Sequence, residues 1–247
     1  MNVPETPSFA PLDEATRELA LAGKSLAVTG GFGALGRAVT RELLAAGARV
    51  SMLDKAPAPA DVPDNVVALG GIDLGDAAAA HRALDDAALR LGGLSALVNV
   101  AGGFRWETVE QGSVDTWDAL YAMNLRTTLL ASQAALPHLL AGGHGRIVNV
   151  GASAAGHAGL GMGAYAAAKS GVARLTEAMA EEFKDRGITV NAVLPSIIDT
   201  PANRCAMPNA DHARWVSPRA LARVVVFLLS DDAAAITGAL IPVKGRT

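Results

Sequence analysis

Two side chains four residues apart, Tyr165 and Lys169, are of types that suit proton transfer. The pattern predicts a helix over 164–186, and residues at this spacing share one helix face. A free phenol has a pKa of about 10, too high for ready exchange near neutral pH, and a fixed ammonium favours the phenolate. The pair could therefore work as an acid/base unit. The alternative is a partly buried tyrosine beside a lysine that extends to solvent.

A glycine-rich turn lies between a predicted strand, 25–29, and a predicted helix, 35–46. It carries Gly30, Gly31, Gly33 and Gly36. Glycines let the backbone turn sharply and approach a pyrophosphate, and the helix N-terminus offers free N–H groups to the phosphates. No Gly-Lys-Ser/Thr follows, which excludes a Walker loop. The placement favours a nucleotide site over an ordinary tight turn.

The end of the second predicted strand carries Asp54. An acidic residue here can bind both ribose hydroxyls of an adenosine and repel a 2′-phosphate, which favours NAD over NADP. The neighbouring Lys55 acts in the opposite direction, because a basic group attracts the phosphate. An ordinary solvated aspartate is the remaining alternative. We predict NAD as the cofactor, with NADP the less favoured choice.

Short β-branched runs alternate with longer helical stretches along the chain. Strands are predicted at 25–29, 49–53, 66–69, 94–100, 146–150, 188–194 and 239–243. Helices are predicted at 35–46, 77–91, 114–140, 164–186 and 218–229, with a kink or break at Pro137. Continuous apolar strands separated by helices indicate an α/β fold: a Rossmann-type, doubly wound, predominantly parallel seven-stranded sheet with helices on both faces. We expect a single domain over 23–247, preceded by an N-terminal extension over 1–22.

Composition excludes several function classes. The 247 residues are 51% hydrophobic and 18% charged, with a net charge of −3, so neither a disordered chain nor a broad basic surface for nucleic acid is expected. Cys205 is the one cysteine, which fits a reducing compartment, and the five histidines lack metal-ligand spacing. Residues 1–23 lack the pattern of a signal peptide, and no stretch suits a membrane span. We therefore expect a cytoplasmic protein without metal.

From Lys24 onward these features resemble the short-chain dehydrogenase/reductase family. The family's Thr-Gly-x-x-x-Gly-x-Gly turn corresponds to 29–36, with Ala34 at its middle glycine. Its Asn-Asn-Ala-Gly corresponds to 99–102, and its Pro-Gly-x-Ile-x-Thr to 195–200, with Ser196 replacing glycine. The cofactor contacts that the resemblance implies are Gly30, Phe32, Gly33, Ala34, Leu35, Gly36, Asp54, Asp73, Leu74, Asn99, Ala101, Gly102, Tyr165, Lys169, Pro195, Ile198 and Thr200.

The resemblance implies hydride transfer between NAD(H) and a small alcohol or ketone. Tyr165 would be the acid/base, Lys169 would bind the nicotinamide ribose, and Asn124 would hold a water in a proton relay. The ammonium and the positive nicotinamide ring would together lower the pKa of the phenol. A non-catalytic NAD-binding protein of the same fold is the alternative from a different class.

One departure concerns the family's catalytic serine, which stands 13 residues before the tyrosine; here that position is Ala152. Ser153 follows it, but neighbours on an extended chain point to opposite sides. Either the backbone is irregular and Ser153 reaches the substrate, or the enzyme works without this hydroxyl. Together with 194–215, this departure resembles dihydropteridine reductase, an NADH-using family member without this serine. That activity is a second enzyme prediction.

The substrate side is predicted from the loop after the fourth strand. Phe104 and Trp106 could stack on a flat substrate, or they could simply pack over the sheet edge, and Ser153 is a further candidate contact. We expect a substrate loop at about 199–216. Helices 114–140 and 164–186 carry more apolar surface than one sheet face needs, and the family pairs such helices across subunits. A homodimer or homotetramer acting on a small molecule is therefore expected.

Overall fold

The structure, a computed structural model, describes residues 19–247. Seven strands form one sheet in the order β3-β2-β1-β4-β5-β6-β7, and every neighbouring pair is parallel. The strands are β1 (Ser25–Thr29), β2 (Arg49–Leu53), β3 (Val66–Leu69), β4 (Ala96–Asn99), β5 (Gly145–Val150), β6 (Ile188–Pro195) and β7 (Leu240–Val243). The order of connection reverses between β1 and β4, the position where open α/β sheets bind ligands.

Helices cover both faces of the sheet. They are α1 (Ala34–Ala45), α2 (Ala77–Leu91), α3 (Val114–Tyr121), α4 (Thr127–Ala141), α5 (Gly163–Phe183), α6 (Pro201–Ala206) and α7 (Pro218–Leu229). The buried side chains of α1 and α7 form one apolar layer with the sheet, and those of α2, α4 and α5 form the other. All five residues of β1 are buried, as its continuous apolar run requires. The predicted doubly wound fold is confirmed.

The predicted helix 114–140 is interrupted, but not at the residue expected. Five residues, Ala122–Arg126, form a π-helical turn between α3 and α4, and α4 continues through Pro137 to Ala141. The side-chain amide of Asn124 donates to the carbonyl oxygen of Leu120, 2.9 Å away. In an α-helix this carbonyl oxygen would accept from a backbone N–H. The side chain of Asn124 occupies it instead, which favours the π-helical turn. A break at Pro137 is wrong, because α4 continues past it, and a kink there stays a prediction.

The start of the packed domain lies earlier than predicted. Residues 1–18 of the predicted extension lie outside the described residues, but Leu21 is fully buried in the core, and its N–H donates to Ala46 O at 2.9 Å. An apolar side chain at 21 therefore belongs to the domain rather than to the extension over 1–22. Within residues 19–247, no helix has the length and apolar character needed to cross a membrane.

The predicted substrate loop, about 199–216, has secondary structure of its own. It contains α6 and a 3-10 turn, His212–Arg214. An isolated parallel bridge between Ile198 and Val216 closes its base. A bidentate ion pair joins Arg204 to Asp199, with N–O distances of 2.5 and 2.7 Å. The segment is thus a folded cap at the carboxyl end of β6.

Candidate active site

The glycine turn between β1 and α1 is shaped by close backbone contacts. Gly30 has a φ of +62°, and a Cβ on it would lie 2.8 Å from the backbone of Ala101. A Cβ on Gly36 would lie 2.2 Å from the carbonyl oxygen of Gly30. Ala34 begins α1 and is exposed, so its methyl group is accommodated on helical backbone. Along α1, the first backbone amide that has an acceptor in this turn is that of Arg37, which donates to Gly33 O at 2.9 Å.

The amides of Ala34, Leu35 and Gly36 therefore have no acceptor within the helix. They lie at the positive end of the α1 dipole, immediately after β1. The glycines leave room for a phosphate-bearing ligand to approach these amides, because side chains at 30 and 36 would fill the turn. The residues present thus fit a dinucleotide pyrophosphate.

Asp54, at the end of β2, closes the adenosine side of this turn. One carboxylate oxygen accepts from the amide of Phe32 at 3.0 Å, and the other accepts from the amide of Ala56 at 3.0 Å. The carboxylate is thereby fixed against the glycine turn. Lys55 is turned to Asp73, with 2.8 Å between Nζ and Oδ2. Asp73 also accepts from the amide of Gly75 at 2.9 Å.

The carboxyl end of β4 is fastened to β1 by one hydroxyl. Thr29 Oγ1 accepts from the amides of Val100 and Ala101, at 3.1 and 3.2 Å. The chain then reaches Gly102, where a Cβ would lie 2.6 Å from Asn124 Oδ1 and 3.4 Å from Lys169 Nζ. Glycine at 102 is therefore required for Asn124 and Lys169 to approach this point.

Tyr165, Lys169 and Asn124 converge at this edge of the sheet. The ammonium of Lys169 donates to the carbonyl oxygen of Val150 at 2.8 Å and lies 5.9 Å from the centre of the Tyr165 ring. Asn124 is fully buried; its Nδ2 donates to Gly103 O at 3.0 Å, and its Oδ1 accepts from Gly103 N at 3.2 Å. The structure thus brings the three predicted catalytic side chains to the end of β4 and β5, beside the glycine turn.

A family model described as "short chain dehydrogenase" matches residues 24–210. The chain belongs to the short-chain dehydrogenase family. Members of this family are oxidoreductases that use nicotinamide cofactors, which agrees with the turn, the fixed Asp54 and the Tyr-Lys pair. No group of three or more candidate metal ligands occurs in the part of the chain that the structure describes.

Named relatives show that this family includes both active and inactive proteins. The chain is 34% identical to 2-(S)-hydroxypropyl-CoM dehydrogenase 3 of Xanthobacter autotrophicus, over 91% of this chain and 96% of that protein. It is 37% identical to a protein of the same organism named inactive 2-(S)-hydroxypropyl-CoM dehydrogenase 2, over 84% and 98%. A solved short-chain dehydrogenase/reductase of Serratia marcescens superposes with a TM-score of 0.82 at 32% identity, covering 92% and 98%.

Burial shifts both ionisable groups of the short-chain dehydrogenase pair toward their neutral forms. It raises the pKa of Tyr165 to about 12 and lowers the pKa of Lys169 to about 8. The sequence prediction of a lowered pKa for the phenol depends on the ammonium and the positive nicotinamide ring together. In the protein itself the desolvation of the phenolate prevails, although the ammonium, which bonds Val150 O, lies over the ring at 5.9 Å from its centre.

The structure describes the surroundings of both candidate positions for the missing serine. Ala152 is buried in a small apolar cluster with Ala154 and Ala166, against which Tyr165 packs. Ser153 begins a 3-10 turn, and its hydroxyl donates to Leu194 O on β6 at 3.2 Å. The backbone is thus irregular at Ser153, and the proton of its hydroxyl is committed to β6. A substrate contact by Ser153 stays a prediction.

The two aromatic candidates lie at the mouth of the site, and each has a protein partner. Phe104 meets Tyr165 edge to face, with ring centres 5.0 Å apart. Trp106 covers Gly161, whose Cβ would lie 2.1 Å from the indole. The amide of Glu107 donates to Gly161 O at 2.9 Å, which joins the loop after β4 to the loop before α5. Both rings remain more than half exposed, so packing and substrate contact are compatible.

Other predicted cofactor residues are placed with differing roles. The side chain of Asn99 is buried, donating to Ser132 Oγ at 3.0 Å and to Asn149 Oδ1 at 2.9 Å, so it is directed into the core and can serve the site only through its backbone. Leu74 is buried in the layer under α2. Pro195 ends β6, and Thr200 caps α6 by accepting from the amide of Asn203 at 3.2 Å.

Sequence reasoning missed three contributors to the site. They are the hydroxyl of Thr29, the carbonyl of Val150 and Gly161, whose φ is +70°. Thr29 lies in the glycine-turn motif, but its hydroxyl bonds amides at the end of β4, and Val150 acts through a backbone carbonyl of β5. Spacing along the chain gives no sign of either contact. Gly161 carried a signal, because it lies in a run of three glycines at 159, 161 and 163 just before α5.

Proposed function

We propose that this chain is an NAD(H)-dependent oxidoreductase that transfers a hydride between nicotinamide and a small alcohol or ketone. The observation that carries the proposal is the approach of Asn124 and Lys169 to Gly102, with the Tyr165 ring centre 5.9 Å from the Lys169 ammonium, beside a glycine turn that fits a pyrophosphate. The relative named as a hydroxypropyl-CoM dehydrogenase supports a hydroxyl-bearing substrate.

The bound nicotinamide would supply the hydride acceptor or donor, and the protein would supply the proton. Burial raises the pKa of Tyr165 to about 12, so the phenol keeps its proton at neutral pH. Its Oη would donate that proton in ketone reduction because the Lys169 ammonium and the positive nicotinamide ring that forms favour the phenolate. Lys169, with a pKa lowered to about 8, is an ammonium at pH 7 and stabilises the phenolate left behind. Asn124 is held rigidly by Gly103 and Leu120, which suits a fixed relay position.

NAD is the cofactor we propose. Asp54 is fixed by two amides at the end of β2, where a ribose hydroxyl can be accepted and a 2′-phosphate is repelled. Lys55, which favoured NADP in the sequence, is bonded to Asp73 instead.

The substrate we propose is small and partly apolar. Phe104, Trp106 and Leu160 are all more than half exposed and lie in the two loops joined by Glu107 and Gly161. This rim lies next to Tyr165, through the edge-to-face contact of Phe104. Exposed aromatic and aliphatic side chains around a polar centre suit a carbonyl or hydroxyl carried on an apolar body.

The chain offers a matched test, because its two tyrosines are Tyr165 and Tyr121. A screen of alcohols, ketones and a quinonoid dihydropterin, followed by NADH absorbance, should find a substrate for the wild type. Tyr165→Phe should then lower kcat roughly a thousandfold, since it removes the proton donor, while NADH affinity stays within about twofold. Tyr121→Phe, a half-exposed residue of α3, should leave kcat unchanged.

Unchanged turnover in Tyr165→Phe would contradict the proposed role of the phenol. A wild type that binds NADH but turns over nothing in the screen would favour the non-catalytic alternative. That alternative draws on Ala152 and on the relative named inactive. Turnover confined to the dihydropterin would favour the second enzyme prediction, which resembles dihydropteridine reductase.

We also propose that the chain forms a homodimer or homotetramer through α3, α4 and α5. Trp117 and Tyr121 on α3 are 41% and 51% exposed and line a cavity of about 410 Å³ with Leu125, Ala164 and Ala168. Pairing with a second copy would cover this apolar face. A sedimentation mass of one chain at micromolar concentration would contradict it. Cytoplasmic location remains our proposal, with the single, exposed Cys205 fitting a reducing compartment.

A further inference from the structure

Two cations lie beside the adenosine corner, and each is held by its own carboxylate. Lys55 directly follows Asp54 and bonds Asp73 Oδ2 at 2.8 Å. Arg37 bonds both carboxylate oxygens of Asp61, at 2.8 and 2.9 Å. Neither pair contributes to the packing of the core, because three of the four side chains are more than half exposed and the fourth, Arg37, is 30% exposed.

Phe32 places Arg37 within this corner. Its amide donates to Asp54 at 3.0 Å, and its carbonyl oxygen accepts from Arg37 Nε at 3.1 Å. The Arg37 guanidinium and the Asp54 carboxylate thus bond the backbone of the same residue. Asp54 is the carboxylate that would meet the adenosine ribose. Lys55 is thus the neighbour of Asp54 along the chain, and Arg37 is linked to Asp54 through the backbone of Phe32.

Both carboxylates are strongly engaged by these cations. The Arg37 guanidinium holds the pKa of Asp61 below its ordinary value, and the Lys55 ammonium, with the amide of Gly75, does the same for Asp73. An arginine bound at both carboxylate oxygens presents fewer free donors to another anion. A lysine paired at 2.8 Å is likewise partly neutralised.

We propose that Asp73 and Asp61 are specificity-determining residues that exclude NADP by holding Lys55 and Arg37 away from a 2′-phosphate. The inference rests on the proposed function, because it assumes that a dinucleotide binds with its adenosine ribose at Asp54. It assigns the discrimination between NAD and NADP to three carboxylates. Asp54 would contact the ribose, while Asp61 and Asp73 would each hold a cation. Surface ion pairs of this exposure add little to stability, so the variants that break them should fold.

The test is the ratio of the NADPH and NADH dissociation constants, measured by fluorescence titration of the full chain. The family resemblance assigns an adenine contact to Asp73, and both dinucleotides carry the same adenine ring. A change in that contact alters both dissociation constants equally and therefore cancels in the ratio. Asp73→Asn should lower the ratio about threefold to tenfold, because Lys55 becomes free to meet the phosphate. Asp61→Asn should lower it about twofold to fivefold, since Arg37 remains tied to Phe32 O.

Second substitutions identify the cation responsible. If Lys55 meets the phosphate, Asp73→Asn combined with Lys55→Gln should return the ratio to the wild-type value, and Arg37→Gln should do so in Asp61→Asn. Asp86→Asn is the matched control. It breaks an exposed pair of the same kind, Arg90–Asp86 at 2.9 Å, in the second half of α2, and it should leave the ratio unchanged.

The outcomes separate this inference from the proposed function. A wild type that binds NADH, with ratios in Asp73→Asn and Asp61→Asn equal to that of Asp86→Asn, would overturn the inference and leave the oxidoreductase proposal standing. A lowered ratio that persists after Lys55→Gln and Arg37→Gln would also overturn it, because the freed cations would then not be responsible. A wild type that binds neither dinucleotide would overturn both proposals.

Discussion

The proposed adenosine half of the crevice, from the glycine turn to Asp54, and the proposed reacting half, around Tyr165 and Lys169, are built in different ways. In the adenosine half, backbone amides and a local turn set the geometry, as in the contact between Phe32 and Asp54, and its charged side chains are paired at the surface. In the reacting half, side chains from α5 and the π turn meet at Gly102, a backbone carbonyl of β5 holds Lys169, and two ionisable groups are buried with opposing pKa shifts.

This contrast separates binding from chemistry. Backbone conformation governs the first half, so a methyl group added at a close backbone contact should greatly weaken binding there. Desolvation governs the second half, so removal of a charge there should change stability and reactivity in opposite directions. The variants below test each side of the comparison, starting with the largest effect.

The largest effect is expected at Gly36. In Gly36→Ala the new Cβ would lie 2.2 Å from Gly30 O, so the turn must open, and the amides of the first turn of α1 must move with it. We expect NADH affinity to fall at least about a hundredfold, since correctly placed amides are what a helix N-terminus offers to a phosphate. Fluorescence titration measures this, and thermal unfolding checks that the variant is folded.

Gly142, at the end of α4, is the control outside this turn. A Cβ there would come no closer than 3.6 Å to Leu139 O, and its φ of −78° suits any residue. Gly142→Ala should keep NADH affinity within about threefold of the wild type. Equal losses in Gly142→Ala and Gly36→Ala would mean that the loss of a glycine in general, rather than the one close contact, lowers the affinity.

Lys169 tests the reacting half through stability. Lowering its pKa from the ordinary 10.5 to about 8 corresponds to on the order of 3 kcal/mol of destabilisation while the amine is charged. Lys169→Met keeps the volume without the charge, so it should be more stable than the wild type at pH 7 by up to about 3 kcal/mol, less the lost bond to Val150 O. Turnover should be lost. Urea unfolding at several pH values measures the difference.

The pH dependence of unfolding tests the sign of this stability difference independently. Between pH 8 and 10.5 the unfolded chain retains the lysine proton that the folded chain has released, so the wild type gains stability as pH rises. The advantage of Lys169→Met should therefore shrink across this window and vanish above it. The exposed Lys184, paired with Glu181, is the control, and Lys184→Met should stay within about 0.5 kcal/mol. A Lys169→Met protein less stable than the wild type at pH 7 would refute this account.

The sequence was informative where structure depends on local pattern. Continuous apolar strands predicted the buried parallel sheet, and the four-residue spacing of Tyr165 and Lys169 predicted their shared helix face.

The rest depends on contacts between distant segments, which spacing does not encode. The π turn forms because Asn124 bonds both Leu120 and the loop after β4, while Pro137 merely continues α4. The motif predicts Asn99 as a cofactor contact, yet hydrogen bonds to Ser132 and Asn149 hold its side chain in the core. The pKa of Tyr165 is raised because burial, which is a property of the whole fold, prevails over a charge one turn away.

The smallest effect is expected at Ala152, and it tests whether the reacting half is incomplete. Its methyl group lies in the cluster that packs against Tyr165, so a hydroxyl at this position would face the phenol and the substrate carbonyl. Ala152→Ser should raise kcat/KM roughly threefold to thirtyfold on a substrate found by the screen, the effect of one hydrogen bond to developing charge. Ala154→Ser adds the same hydroxyl to the same buried cluster, and it should give no gain. If Ala152→Ser is no faster than Ala154→Ser, then the substrate carbonyl is polarised by other groups. The reacting half would then be as complete as the adenosine half, and the missing hydroxyl would be a matter of packing rather than of chemistry.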